Sequence, residues 1–224
     1  MEELRGLIIR NEVNVNLGDN TTRTALHWAA QSGQLEAVKY LVEEAGADLC
    51  ISTSFKKTAL DLAAWKGNLK VVQYLLSLKG VNFDKFNGSS AVGLAAKGGH
   101  VNVLKYLIKK GADVNSWLYC GRTSLQLAAE YGHFEIIKYL LLAKGGAMFK
   151  YKLIEEKDNM ARIAIRTAKH HGHYGMVKML KKLTAQQQSN DWSEIRTSLN
   201  TFDPDRMSPS RSNSLNSETN SESL

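Results

Sequence analysis

The sequence predicts an all-α solenoid of stacked helix-turn-helix units with finger loops between them, followed by a largely disordered C-terminal tail. Three observations carry that prediction. A ten-residue pattern recurs along the chain, its closing glycines (Gly33, Gly67, Gly99, Gly132 and Gly172) lie 34, 32, 33 and 40 residues apart, and the composition changes after Leu183. A repeat period near 33 residues holds one helix pair, too little to bury its own apolar face, so successive copies must lean on one another.

The pattern opens with a hydroxyl and closes with a glycine. Thr24-Ala-Leu-His-Trp-Ala-Ala-Gln-Ser-Gly33 recurs as Thr58 to Gly67, Ser90 to Gly99 and Thr123 to Gly132, and in decayed form as Ile163 to Gly172. Thr24, Thr58, Ser90 and Thr123 can accept from the unpaired N–H groups of a helix start, and the alanines that follow give a small-residue face for close packing. A second stretch follows each glycine, with apolar residues at helical spacing: Val38/Leu41/Val42, Val72/Leu75/Leu76, Leu104/Leu107/Ile108 and Ile137/Leu140/Leu141. It ends at Gly46, Gly80, Gly111 or Gly145-Gly146, where glycine can adopt the left-handed conformation that closes a helix. The 40-residue interval before Gly172 places about 7 extra residues in the connection ahead of the fifth copy.

This arrangement divides the chain as 1–16, the outer half of an initial copy; 17–50, 51–84, 85–115 and 116–148, four clear copies; 149–183, a degenerate fifth with the insertion; and 184–224, the tail. The residues resemble the ankyrin repeat, in Thr24-Ala-Leu-His27-Trp-Ala and in Gly111-Ala-Asp-Val-Asn115 above all. The proline of the family's helix-opening motif is replaced by Ala25, Ala59, Ala91, Ser124 and Ala164, and its histidine survives only as His27. The first departure implies less rigid helix starts; the second puts inter-repeat hydrogen bonding through that side chain in question beyond the first copy.

Composition excludes several function classes. The 224 residues are 43% hydrophobic and 23% charged, enough for a core, and no apolar run approaches the roughly 18 residues of a membrane span. An acidic start, Met1-Glu2-Glu3, is unlike a secretory leader, and Cys50 and Cys120 make no disulfide framework, so a cytoplasmic or nuclear setting is expected. There is no phosphate-binding glycine loop, no Gly-x-Ser-x-Gly and no His-Glu-x-x-His, so neither enzyme activity nor a cofactor is expected. His170, His171 and His173 read as solvated residues, with a weak metal site as the alternative. Cys120, beside Arg122, reads as an ordinary thiol.

The net charge is +7, unevenly placed. The tail from residue 184 holds six acidic residues against three arginines, whereas residues 150–183 hold nine basic against three acidic. A basic body points to anionic partners or to a tail folded back over it. Nucleic acid is the rival partner class, but no recognised nucleic-acid module accompanies the charge.

The resemblance implies that partners lie across the fingers and along the inner helices. Transferred position by position, Phe55, Trp65, Phe86, Tyr119 and Tyr131 fall at such sites, interleaved with Lys57, Lys66, Lys97 and Arg122 and accompanied by Glu130. Aromatic anchors beside cations are what interface cores favour. The expectation is a non-catalytic scaffold or adaptor, or the targeting subunit of an enzyme complex. The chain, expected to be monomeric alone, would take a peptide or protein segment with acidic and apolar residues in a basic, aromatic groove. The competing reading has the rings folded down as packing. On the outer helices, Tyr40, Tyr74, Tyr106 and Tyr139 recur in register and read as a stacking ladder.

The tail has two features. Trp192, Ile195, Leu199 and Phe202 follow Asn190-Asp191 at near-helical spacing, suggesting an amphipathic helix near 190–202 that covers the end of the fifth copy or docks on another protein. Ser208, before a proline, and Ser214, three residues after Arg211, are phosphorylation candidates that could draw the tail onto the basic body.

Overall fold

A computed structural model describes residues 14–78, 91–113, 121–142 and 154–186. Among them are ten helices and no strand. They pair in chain order as α1 (Ala25–Ser32) with α2 (Leu35–Glu43), α3 (Ala59–Lys66) with α4 (Leu69–Leu75), α5 (Ala91–Gly98) with α6 (Val101–Lys109), α7 (Ser124–Glu130) with α8 (Phe134–Leu142), and α9 (Ile154–His170) with α10 (Tyr174–Gln186). Each odd-numbered inner helix packs on its own outer helix and on the next inner helix, giving the row α1, α3, α5, α7, α9. This is the all-α solenoid that the glycine spacing predicts. Residues 1–13, Gly80, Phe86, Ser90, Tyr119, Cys120, Gly145 and Gly146, and everything after Gln186, Ser208 and Ser214 included, lie outside the described residues.

One continuous core runs through the row. Ala30, Ala63, Ala64, Ala95, Ala96, Ala128 and Ala129 are fully buried where inner helices meet, and Val38, Val72, Leu104 and Ile137 fill the space between inner and outer helices. Alanine at the inner contacts lets the backbones come close, and each buried aliphatic side chain contributes about 2 kcal/mol. The cluster reaches the fifth copy through Ala164, Ala168, Met176 and Leu180.

Two of the inner helices start as the hydroxyls foretell. The Asp61 amide donates to Thr58 Oγ1 at 3.3 Å while Asp61 Oδ2 accepts from the Thr58 amide at 3.0 Å, and Gln126 makes the same reciprocal pair with Thr123. At the first copy His27 takes this role: the Thr24 amide donates to Nδ1 at 3.1 Å, and Nε2 donates to the Lys57 carbonyl at 3.1 Å. A carbonyl can only accept, so Nε2 carries the proton. Burial pushes the His27 imidazole below its ordinary value, which keeps it neutral for both bonds.

The turns between paired helices have a second reason for their glycines. Gly33, Gly67, Gly99 and Gly132 have φ of 73, 79, 81 and 77°, a left-handed conformation that favours glycine. In addition, a Cβ at each would collide with a side chain from the following copy: Asn68, His100, His133 and His173 respectively. Those four residues stand directly after the turn glycine of their own copy and reach back to the previous one. Asn68 Nδ2 donates to the Ala30 and Gln31 carbonyls at 2.8 and 2.9 Å; His133 Nε2 donates to the Lys97 carbonyl and His173 Nε2 to the Glu130 carbonyl, both at 3.0 Å. His100 bonds the Trp65 carbonyl in the same way. Carbonyls that a helix end leaves unpaired are thus capped by the next repeat.

The fifth copy departs from the expectation. Instead of lengthening a loop, part of the inserted sequence is helical: α9 begins at Ile154, nine residues before Ile163, which aligns with Thr24. With isoleucine in place of the hydroxyl, that position has no helix-opening acceptor, and the helix runs through it.

Candidate functional site

The fingers and the C-terminal ends of the inner helices form the candidate site. Finger geometry comes first. In the first finger Asp19 accepts from the Thr21 hydroxyl at 2.7 Å, the Thr21 amide at 2.8 Å and the Arg23 amide at 3.0 Å. These bonds favour the carboxylate and lower the Asp19 pKa to about 2, the Thr21 hydroxyl contributing most. The second finger docks on the first through Ser54, whose amide donates to the Thr21 carbonyl at 3.0 Å. Thr22 and Lys56 adopt left-handed φ of 57 and 53°, at the position where the later fingers carry Gly88 and Gly121.

The expected site residues fall into three groups. Trp65, Lys66, Lys97 and Tyr131 come together. The Lys66 ammonium lies 4.7 Å from the Trp65 ring centre, and that of Lys97 lies 5.9 Å from Trp65 and 5.3 Å from Tyr131. One lysine therefore joins an aromatic residue of the second copy to one of the fourth. Tyr131 is 44% exposed and stacks on His133, ring centres 6.3 Å apart and planes 10° from parallel. Trp65 is half-buried and packs over Leu94 and Leu127, so part of its ring surface is packing.

Arg122 and Glu130 form an ion pair with each other, the arginine half-exposed and the glutamate mostly covered. Their charges offset, leaving Lys66 and Lys97 as the cations at the aromatic surface. Phe55 stands apart on its finger, 61% exposed, and Lys57, partly buried, contributes its carbonyl to His27.

Sequence reasoning missed Trp28. It occupies the variable position of the opening motif, where the later copies carry Leu62, Leu94 and Leu127, all buried, yet it is 47% exposed. The Arg23 guanidinium lies 4.9 Å over its ring, repeating the aromatic-cation pairing at the first copy. The tryptophan itself, an expensive residue to leave in water, was the available signal.

The backbone beneath these side chains is fixed. The carbonyls of Gln31, Trp65, Lys97 and Glu130 are those that the following copy caps, so inter-repeat bonds set the positions from which the site residues project. Burial, with smaller contributions from His133 and Lys66, pushes the His100 imidazole down, so it adds no charge beside Lys66.

On the opposite face, Tyr74, Tyr106 and Tyr139 are half-buried against the core. The Tyr74 hydroxyl donates to Glu43 of the preceding copy at 2.7 Å, and burial and that carboxylate push its phenol up to about 12. The Lys105 ammonium lies 5.2 Å from the Tyr139 ring of the next copy. Tyr74 and Lys105 thus tie neighbouring copies together.

The histidines of the fifth copy have separate partners. His173 reaches Glu130, His171 Nδ1 lies 3.0 Å from the Thr167 carbonyl, and His170 meets His171 edge-on at 5.0 Å. Among the described residues no group of three His, Cys, Asp or Glu side chains could hold a metal ion, and no helix is long and apolar enough to cross a membrane.

Stacked helix pairs with helix ends capped by the following copy define a helical-repeat solenoid. The sequence profile described as ankyrin repeats (3 copies) matches residues 2–87 and 62–152, and the chain belongs to that family. No curated protein matches it closely in sequence. Ankyrin repeats are generally protein-protein interaction modules.

Proposed function

We propose that this chain is a non-catalytic scaffold that captures a protein segment carrying acidic and apolar residues along its inner-helix face. The observation that supports this reading most is the position of Lys97 between the Trp65 and Tyr131 rings, with Lys66 on the first of them. Aromatic faces held beside ammonium groups offer apolar contact and positive charge together, at low ordering cost because the underlying carbonyls are already pinned. Trp28 under Arg23 extends the same chemistry to the first copy.

A peptide array pairing Asp/Glu with Leu, Phe or Trp in varied registers tests the reading. Lys97→Glu should weaken the best binders by more than tenfold, and Tyr131→Ala should do so while changing stability by less than about 0.5 kcal/mol, as expected for an exposed ring. Trp65→Ala is a poorer probe, because loss of its packing on Leu94 and Leu127 should itself destabilise the chain by about 2 kcal/mol. Equal binding of acidic peptides by the wild type and Lys97→Glu would sink the proposal. A single-stranded oligonucleotide bound in preference to every peptide, with affinity collapsing as salt rises, would replace it with polyanion binding.

A further inference from the structure

The outward face of the fifth copy is built like the faces that the other copies cover. At Gly33, Gly67, Gly99 and Gly132 the next copy stands where a Cβ would go; at Gly172, with φ of 78°, no described residue lies within 4 Å of that position. Thr24, Thr58 and Thr123 are 2 to 4% exposed, whereas their counterpart Ile163 is 47% exposed. Phe134, first in α8, is 9% exposed, whereas Tyr174, first in α10, is 54% exposed. His27, Asp61 and Gln126 are buried, and their counterpart Arg166 is exposed. The copy that should be most polar on its outer side therefore presents an isoleucine and a tyrosine, beside cations such as Arg166 and Lys169.

Only a few residues separate this face from a sequence of complementary character. α10 ends at Gln186, and Asn190-Asp-Trp-Ser-Glu-Ile-Arg-Thr-Ser-Leu-Asn-Thr-Phe202 follows after three residues. Its apolar residues Trp192, Ile195, Leu199 and Phe202 recur at near-helical spacing, and Asp191 and Glu194 bring two carboxylates against the single Arg196. A three-residue link extended to about 10 Å reaches no farther than neighbouring elements, which favours docking within the chain. We infer that residues 190–202 dock on the open face of α9 and α10, their apolar side against Ile163 and Tyr174 and their carboxylates toward Arg166 and Lys169, closing the solenoid in place of a sixth copy.

Two measurements on the full-length chain test this. The first replaces Tyr174 with the photoreactive p-benzoylphenylalanine and maps the adducts by mass spectrometry. An intrachain adduct to residues 190–202 is expected. An adduct to a second chain, which would make the face a dimer contact, an adduct elsewhere, or no adduct would each overturn the inference. The second compares amide exchange in the wild type and the Trp192→Ala/Leu199→Ala variant, whose substitutions lie outside the described helices. Exchange in α9 and α10 should quicken about tenfold while α1 to α4 stay unchanged, since stability in a solenoid is local. Unchanged exchange in α9 and α10 would overturn it.

Discussion

The turns at Gly132 and Gly172 share a left-handed glycine, a histidine directly after it and a hydrogen bond from that histidine back to the preceding copy. They differ in what comes next: His173 lies over Gly132, and no described residue lies over Gly172. Phe134 is buried beside the covered turn, and Tyr174 is exposed beside the open one. A residue's environment in a solenoid is set as much by the following copy as by its own, so the same motif is core in one place and surface in another.

Matched substitutions sharpen the comparison. Gly67→Ala and Gly172→Ala impose a similar left-handed strain of about 1 to 2 kcal/mol, but among the described residues the former alone drives a methyl into a side chain held by its own hydrogen bond, here His100 on the Trp65 carbonyl. Urea unfolding should show a loss of about 3 kcal/mol or more at Gly67 and about 1 at Gly172. Equal losses would mean that the following copy plays no part.

His133→Ala strands the Lys97 carbonyl and should cost about 1 to 2 kcal/mol, read as faster amide exchange at the end of α5. His170→Ala, on an exposed position, should stay within about 0.5 kcal/mol.

Acid should expose the same asymmetry. Burial holds His27 and His100 below the ordinary imidazole value of 6.5, so the unfolded chain takes up protons that the folded chain resists. Stability is then full above about pH 6.5 and falls as the pH drops toward the folded values. Melting temperatures measured from neutral pH to about pH 5 should decline, and His27→Gln should decline less steeply. A flat profile would contradict the buried, neutral assignment.

One effect runs the other way. Thr22→Gly relieves a left-handed threonine at a finger position where Gly121 already serves, and should stabilise the first copy by up to about 1 kcal/mol, visible as a raised melting temperature.

Much of the architecture was legible because glycine spacing and small-residue faces leave few alternatives: the ten described helices follow the repeating pattern. What escaped was whatever depends on a neighbour's choice of residue. Asn68 and His133 do the same work with different chemistry, and at the first copy that position is Gln34, so no single letter marks the reach back to the previous helix. The helical extension before Ile163 was hidden because an insertion's length does not fix its conformation. At the site, the joining of Trp65 to Tyr131 through Lys97 needed a view across three copies, and the mutual pairing of Arg122 and Glu130 needed side-chain directions that spacing leaves free. Trp28 was overlooked because its motif position belongs to buried leucines in later copies.

The direction of the capping bonds matters for how the chain is made. Asn68, His100, His133 and His173 each close a helix that was synthesised before them. A copy leaving the ribosome is therefore unfinished until its successor emerges, and premature termination would leave the last completed turn with frayed carbonyls, a mark by which truncated chains differ from whole ones.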